Sequence, residues 1–152
     1  MKTAIQALIL ITSGVVFTGC GNPALRYVGL YSGTGTMTMS FDSSSGQQSG
    51  TRQLAGNVNL REGVSSDLVY DDSECQIPFN MDDADSASLV PGASCTGSAD
   101  GATATLTYTN GFIRFDEKIV TVTLNATVTV TKNGATVVGT MTEDLTLTRL
   151  TK

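Results

Sequence analysis

The chain contains no histidine. That removes the commonest general base and metal ligand and excludes serine–histidine and cysteine–histidine nucleophiles. Carboxylate chemistry remains. The acidic residues gather as Asp71-Asp72-Glu74 and Asp82-Asp83-Asp85. A carboxylate pair could act as acid and base, and clustered carboxylate oxygens could take a calcium ion, but such runs are ordinarily solvated loop. Asp83-Ala84-Asp85 begins like an EF-hand loop, yet Ala87 and Ser88 stand where a ligand and the turn glycine belong. No metal site, cofactor or catalytic constellation is expected, and the chain does not read as an enzyme.

Glu143 is the carboxylate with a specific environment. It shares strand parity with the apolar Met141 and Leu145, so it should point inward. A buried carboxylate needs a partner, a raised pKa or solvent. Arg52, on the parity of Leu54, and Arg149, on that of Leu147, are the basic candidates. Gly33 and Gly35 fall on the neighbouring strand if the sheet closes, where missing side chains leave room; Tyr31 lies on the same face. Glu143, Arg52, Tyr31, Gly33 and Gly35 are therefore the candidate ligand-binding residues. The plainer reading is a carboxylate at a mouth or bulge, touching water.

The N-terminus carries an address. Met1-Lys2-Thr3 is followed by an uncharged, mostly apolar run from Ala4 to Phe17, then Thr18-Gly19-Cys20. A run of about 14 residues is too short to span a bilayer as a helix and fits a secretory signal. Phe17-Thr18-Gly19-Cys20 resembles the lipobox of bacterial lipoproteins, with Phe17 replacing the usual leucine. The resemblance implies cleavage before Cys20 and acylation of that cysteine, with palmitate among the chains. It also implies a lipid-anchored protein of the cell envelope, in the outer membrane because Gly21 rather than Asp follows. Two or three acyl chains make such an anchor persistent. The organisation expected is a signal peptide over 1–19, the lipidated cysteine and a short tether over 20–27, and one domain over 28–152.

Cys75 and Cys95 then remain as a pair in an oxidising compartment and should form a disulfide. Losing Lys2 with the leader takes the net charge from −5 to −6, which argues against nucleic acid as a partner.

The elements that position these residues are strands. Period-two alternation runs through almost the whole mature region. Asn133-Gly134 is a two-residue turn that pairs Val130 with Val137, Ala126 with Met141 and Val120 with Leu147, keeping one face apolar without a slip. Glu117-Lys118 closes another turn, setting Phe115 against Val120. Asn110-Gly111 reads as a third, pairing Tyr108 with Ile113 and Leu106 with Phe115, so 101–150 reads as a four-stranded meander. Upstream, Tyr31 to Phe41 gives a first strand, 42–50 a Ser/Gly/Gln loop, Leu54 to Leu60 a second strand and 67–71 a third. An acidic loop containing Pro78 covers 72–86. A fourth strand over 87–94 is interrupted by Pro91-Gly92.

The fold class expected is all-β, an antiparallel up-and-down β-barrel of about eight strands in which the first closes on the last; a two-sheet β-sandwich is the alternative. The outward threonines, among them Thr121, Thr123, Thr127, Thr129 and Thr131, form a ladder. It resembles the flat faces of ice-binding proteins, but threonine is also simply a good, soluble strand former. The opening Tyr27-Val28-Gly29-Leu30-Tyr31-Ser32-Gly33-Thr34 resembles lipocalin-like first strands without their Gly-x-Trp signature. It implies a small binding barrel for an apolar or amphipathic ligand. The alternative is a filled β-domain serving as a structural or protein-interaction module of the envelope.

Overall fold

The computed structural model describes residues 22–43, 46–72 and 74–150; the signal peptide expected over 1–19, Cys20 and Gly21 lie outside the described residues. Nine strands follow a short 3-10 turn at Pro23–Tyr27. They are β1 (Gly29–Ser43), β2 (Gly46–Glu62), β3 (Leu68–Asp71), β4 (Gln76–Met81), β5 (Ser86–Leu89), β6 (Ser94–Ala99), β7 (Ala102–Asp116), β8 (Ile119–Lys132) and β9 (Ala135–Arg149). All pairings are antiparallel. The sheet order is β5-β4-β3-β2-β1-β9-β8-β7-β6, and β5 also pairs with β7. That last pairing closes eight of the strands into a barrel-like ring and leaves β6 as an extra edge on β7.

The turn chemistry at 133–134 is as expected. Asn133 and Gly134 both take positive φ, 52° and 80°, which a type I′ connection requires. The register that follows pairs Val130 with Val137, Ala126 with Met141, Leu124 with Glu143 and Val120 with Leu147. Phe115 meets Val120 across the Glu117-Lys118 turn.

Asn110-Gly111 is not a turn. Neither residue has positive φ, and β7 runs through them to Asp116, so 101–150 holds three strands rather than four. A bulge at Thr109 lies between the pairs Tyr108–Ala126 and Asn110–Asn125. One extra residue flips the parity, so Tyr108 and Ile113 both face inward and are buried, as a hairpin would also have them. Two sequence-compatible folds thus share one inward set. The continuous strand prevails because its free edge has two partners, β6 above the bulge and β5 below it. Gly111 faces the crossover, where a Cβ would lie 2.9 Å from Leu124 Cδ2 and 3.3 Å from Leu89 Cβ.

Three further expectations change. The described residues of the loop expected over 42–50 are strand: β1 and β2 continue as a two-stranded ribbon to the pair Ser43–Gly46. The acidic stretch contains β4, because Ile77 and Phe79 alternate inward and are 1% and 0% exposed. Pro78 still fits, opposite Val69, while its carbonyl accepts from Val90 N–H. The segment 87–94 splits at Pro91-Gly92 into β5 and β6, with Gly92 at φ 86°.

The lower ring is packed by Leu60, Leu68, Ile77, Phe79, Ile113 and Leu147, each 0–1% exposed. The outer face is lined by hydroxyls, several in cross-strand contact: Thr38–Thr51 at 3.0 Å, Thr96–Thr105 at 3.1 Å and Thr131–Thr136 at 3.1 Å. The upper strands β2-β1-β9-β8-β7-β6 extend beyond the short β3–β5 wall as a curved sheet. The Cys75–Cys95 disulfide, Cα–Cα 5.6 Å, ties the β3–β4 loop to edge strand β6.

Gly33 and Gly35 lie on β1 opposite Leu147 and Leu145; Gly33 borders a small hollow, but Gly35 leaves no room. Leu147 fills the space beside Gly33, and a Cβ on Gly35 would fall on the Asp144 carbonyl and the Leu145 backbone. Gly35→Ala should therefore destabilise by about 2–4 kcal/mol, from a backbone clash at a packed site. Gly56→Ala, which meets nothing within 4 Å, should be near neutral; urea unfolding of the two variants compares them. The double variant Cys75→Ser/Cys95→Ser should lose about 3 kcal/mol by the same measurement, the contribution of closing a loop of that length.

Candidate functional site

Strand β9 carries Glu143 inward between Leu124 on β8 and Met37 on β1, beneath a small hollow of about 170 Å³ that Gly33, Leu54, Tyr70 and Asp72 also line. The partner is neither basic candidate. Arg52 pairs with Met37 on the far side of β1, so Met37 stands between them, and Arg52 is exposed. Arg149 lies six residues along β9, about 20 Å away at strand rise. The Tyr70 hydroxyl hydrogen-bonds Glu143 instead. Burial, with the nearby Asp72 carboxylate second, pushes Glu143 up to about 7 despite that bond. The same burial, with Glu143 as the next cause, raises Tyr70 and Tyr108 above their ordinary range. The arrangement is a half-buried carboxyl held by a phenol and able to carry a proton near neutrality, with no guanidinium to fix an anion.

The remaining candidates scatter. Gly35 packs on β9 backbone. Arg52 borders a separate open hollow of about 460 Å³ beside Met37, Met39 and Phe41. Tyr31 is at the other end of the ring, 2% exposed, its hydroxyl donating to the Tyr27 carbonyl at 2.7 Å. There a concavity of about 600 Å³ opens, walled by Arg26, Tyr27, Phe115, Lys118, Ile119 and Arg149. The described part of the segment expected as a tether, residues 22–27, is folded here: Ala24 is fully buried. The Tyr27 ring stacks on Phe115 with centroids 3.5 Å apart. Arg26 pairs with Asp85 at 2.8 Å, and the Arg149 guanidinium donates to the Arg26 carbonyl at 3.1 Å and to that of Val28.

The acidic runs shape loops. Asp72 Oδ1 accepts from Glu74 N and Cys75 N, at 3.0 and 2.7 Å. Asp83 Oδ1 accepts from Asp85 N at 2.7 Å, Asp82 accepts from the Ser88 hydroxyl at 2.6 Å, and Asp71 pairs with Arg61 at 3.0 Å. Among the described residues no group of three or more acidic or cysteine side chains is placed to hold a metal ion.

Sequence parity placed Glu143 but missed Tyr70, Asp72 and the end concavity. Tyr70 could have been found, since it alternates with Leu68 in a short apolar strand. The concavity depends on the 3-10 turn folding back, for which the local sequence has only the Asn22-Pro23 start signal. No protein-family model matches the chain, and no curated protein or solved structure matches it either.

The raised Glu143 has a stability consequence. A carboxyl whose folded value lies above its unfolded one binds more protons in the native state, so stability falls as pH rises from about 4.5 through 7. Glu143→Gln removes that penalty. It should raise the urea midpoint at pH 8, by about 1–3 kcal/mol in stability, and much less at pH 4.5. Equal effects at both pH values would contradict the reading.

Proposed function

We propose that this protein is a lipid-anchored envelope module with a filled β-ring. It acts through its surfaces, as a structural or interaction element, rather than by enclosing a ligand or by catalysis. The observation that carries this reading is the solid interior. Ring residues from six strands are essentially without exposure, and the hollow that Glu143 lines is about 170 Å³, below the roughly 300–1,000 Å³ typical of small-molecule sites. The lipobox-like Phe17-Thr18-Gly19-Cys20 and the cysteine pair of an oxidising compartment support the address, an acylated Cys20 in the outer membrane.

A second reading rests on the end concavity. At about 600 Å³ it is within the range of small-ligand sites, and its walls combine a stacked aromatic pair with two guanidinium groups. An amphipathic ligand held there would be a binding function, relocated from the lumen to the mouth.

Mass spectrometry of the protein extracted from membranes separates these. The anchored reading requires a mature chain beginning at an acylated Cys20; an unmodified N-terminus overturns it. Native spectra should show that chain alone. A stoichiometric, non-covalently retained lipid, lost in Arg149→Ala, would favour the second reading.

A further inference from the structure

The protein's exposed apolar side chains are unevenly distributed. Among the described residues the large hydrophobics with substantial exposure are Leu25 (50%), Leu30 (47%), Val64 (104%), Ile119 (46%) and Leu150 (42%), together with Phe112, Val137 and Val138. The first five share one end of the ring. Leu25 is on the 3-10 turn and Leu30 begins β1. Leu150 follows β9, its amide bonded to the Leu30 carbonyl. Ile119 begins β8 opposite Thr148, diagonal to Leu150 and within side-chain reach. Val64 is in the β2–β3 loop, which leaves β2 just past the Leu60–Gly29 pair. Val137 and Val138 sit at the opposite end, beside the Asn133-Gly134 turn.

This is also the end from which the described chain starts. Asn22 caps the 3-10 turn, and Cys20 is two residues upstream, at most about 7 Å of extended chain. The turn itself is locked to the ring by the Arg26–Asp85 and Arg149 contacts, so the chain enters the described structure at a place fixed relative to the rim.

We infer that this end of the ring rests on the bilayer: the rim of Leu25, Leu30, Val64, Ile119 and Leu150 enters the interfacial layer, and the concavity between Tyr27, Phe115 and Arg149 opens onto lipid. The inference rests on the proposed acylation of Cys20 and adds an orientation to it. Exposed apolar rims of this kind mark interaction surfaces, and side chains on several loops supply partial burial that supplements a covalent anchor. Charge selects the kind of surface. Acidic side chains outnumber basic ones on these loops, with Asp82, Asp83 and Asp85 in one of them alone, so an anionic leaflet is disfavoured and a zwitterionic one is the occupant. Arg26, Lys118 and Arg149 beside Asp116 and Glu117 around the concavity are of both signs and match phosphate and ammonium headgroups.

The natural chain has no tryptophan, so single substitutions report cleanly. Acylated, full-length Ile119→Trp and, separately, Leu30→Trp would be reconstituted into vesicles of phosphatidylethanolamine and phosphatidylcholine with brominated acyl chains, beside Val138→Trp from the opposite end. Both rim tryptophans should lose most of their fluorescence to the brominated chains, while Val138→Trp stays bright and open to acrylamide. Rim tryptophans as open to acrylamide as Val138→Trp, in protein whose Cys20 is shown by mass spectrometry to be acylated, overturn the orientation while leaving the anchor intact. An unmodified Cys20 in the cell removes both.

Discussion

Everything in this structure depends on β1 lying against β9. The two strands are the first and last of the sheet, and they pair from Tyr31–Arg149 to Phe41–Gly139. The approach is so close at Gly35 that β9 backbone occupies the place of a side chain. Glycine weakens an isolated strand by conformational entropy, yet here it permits the close backbone approach at which β1 meets β9. Once β1 and β9 are joined, the short strands β3 to β5 need only bridge β2 and β7, and the apolar parities of all eight strands converge on one core.

The same closure decides what the interior can be. Small residues on β1 do not create a lumen; Leu147 and the β9 backbone take the space. Glu143 is left as a half-buried carboxyl above the packed layer, held by Tyr70 and raised by burial. Concavity survives where the short wall ends and where the ring meets the 3-10 turn. A protein built this way has surfaces to offer at its two ends and a threonine-lined wall between them, and the proposed role as a surface-acting module is built on those surfaces.

Much of this was written in the sequence, unevenly. Long alternating strands joined by Asn133-Gly134 and Glu117-Lys118 were legible because a single slip would have exposed every apolar residue. The inward position of Glu143 followed from the same register. Asn110-Gly111 misled for a physical reason: a hairpin there and a bulge at Thr109 bury the same side chains, and only the non-local pairing of β5 with β7 separates them. The acidic stretch hid β4 because composition outweighed the alternation of Cys75, Ile77 and Phe79. Partners of Glu143 were sought by charge, whereas the fold placed Met37 in the way of Arg52 and brought a tyrosine from β3.

Native-state hydrogen exchange tests the closure most directly. If β1 and β9 seal the ring, the paired amides around Gly33–Gly35 and Leu145–Leu147 should exchange only through global unfolding, with the same free energy as the β8–β9 hairpin. Exchange of the β1 amides through a lower-energy local opening, while β8–β9 stays protected, would mean that the ring is a sheet with loose ends and would contradict the account.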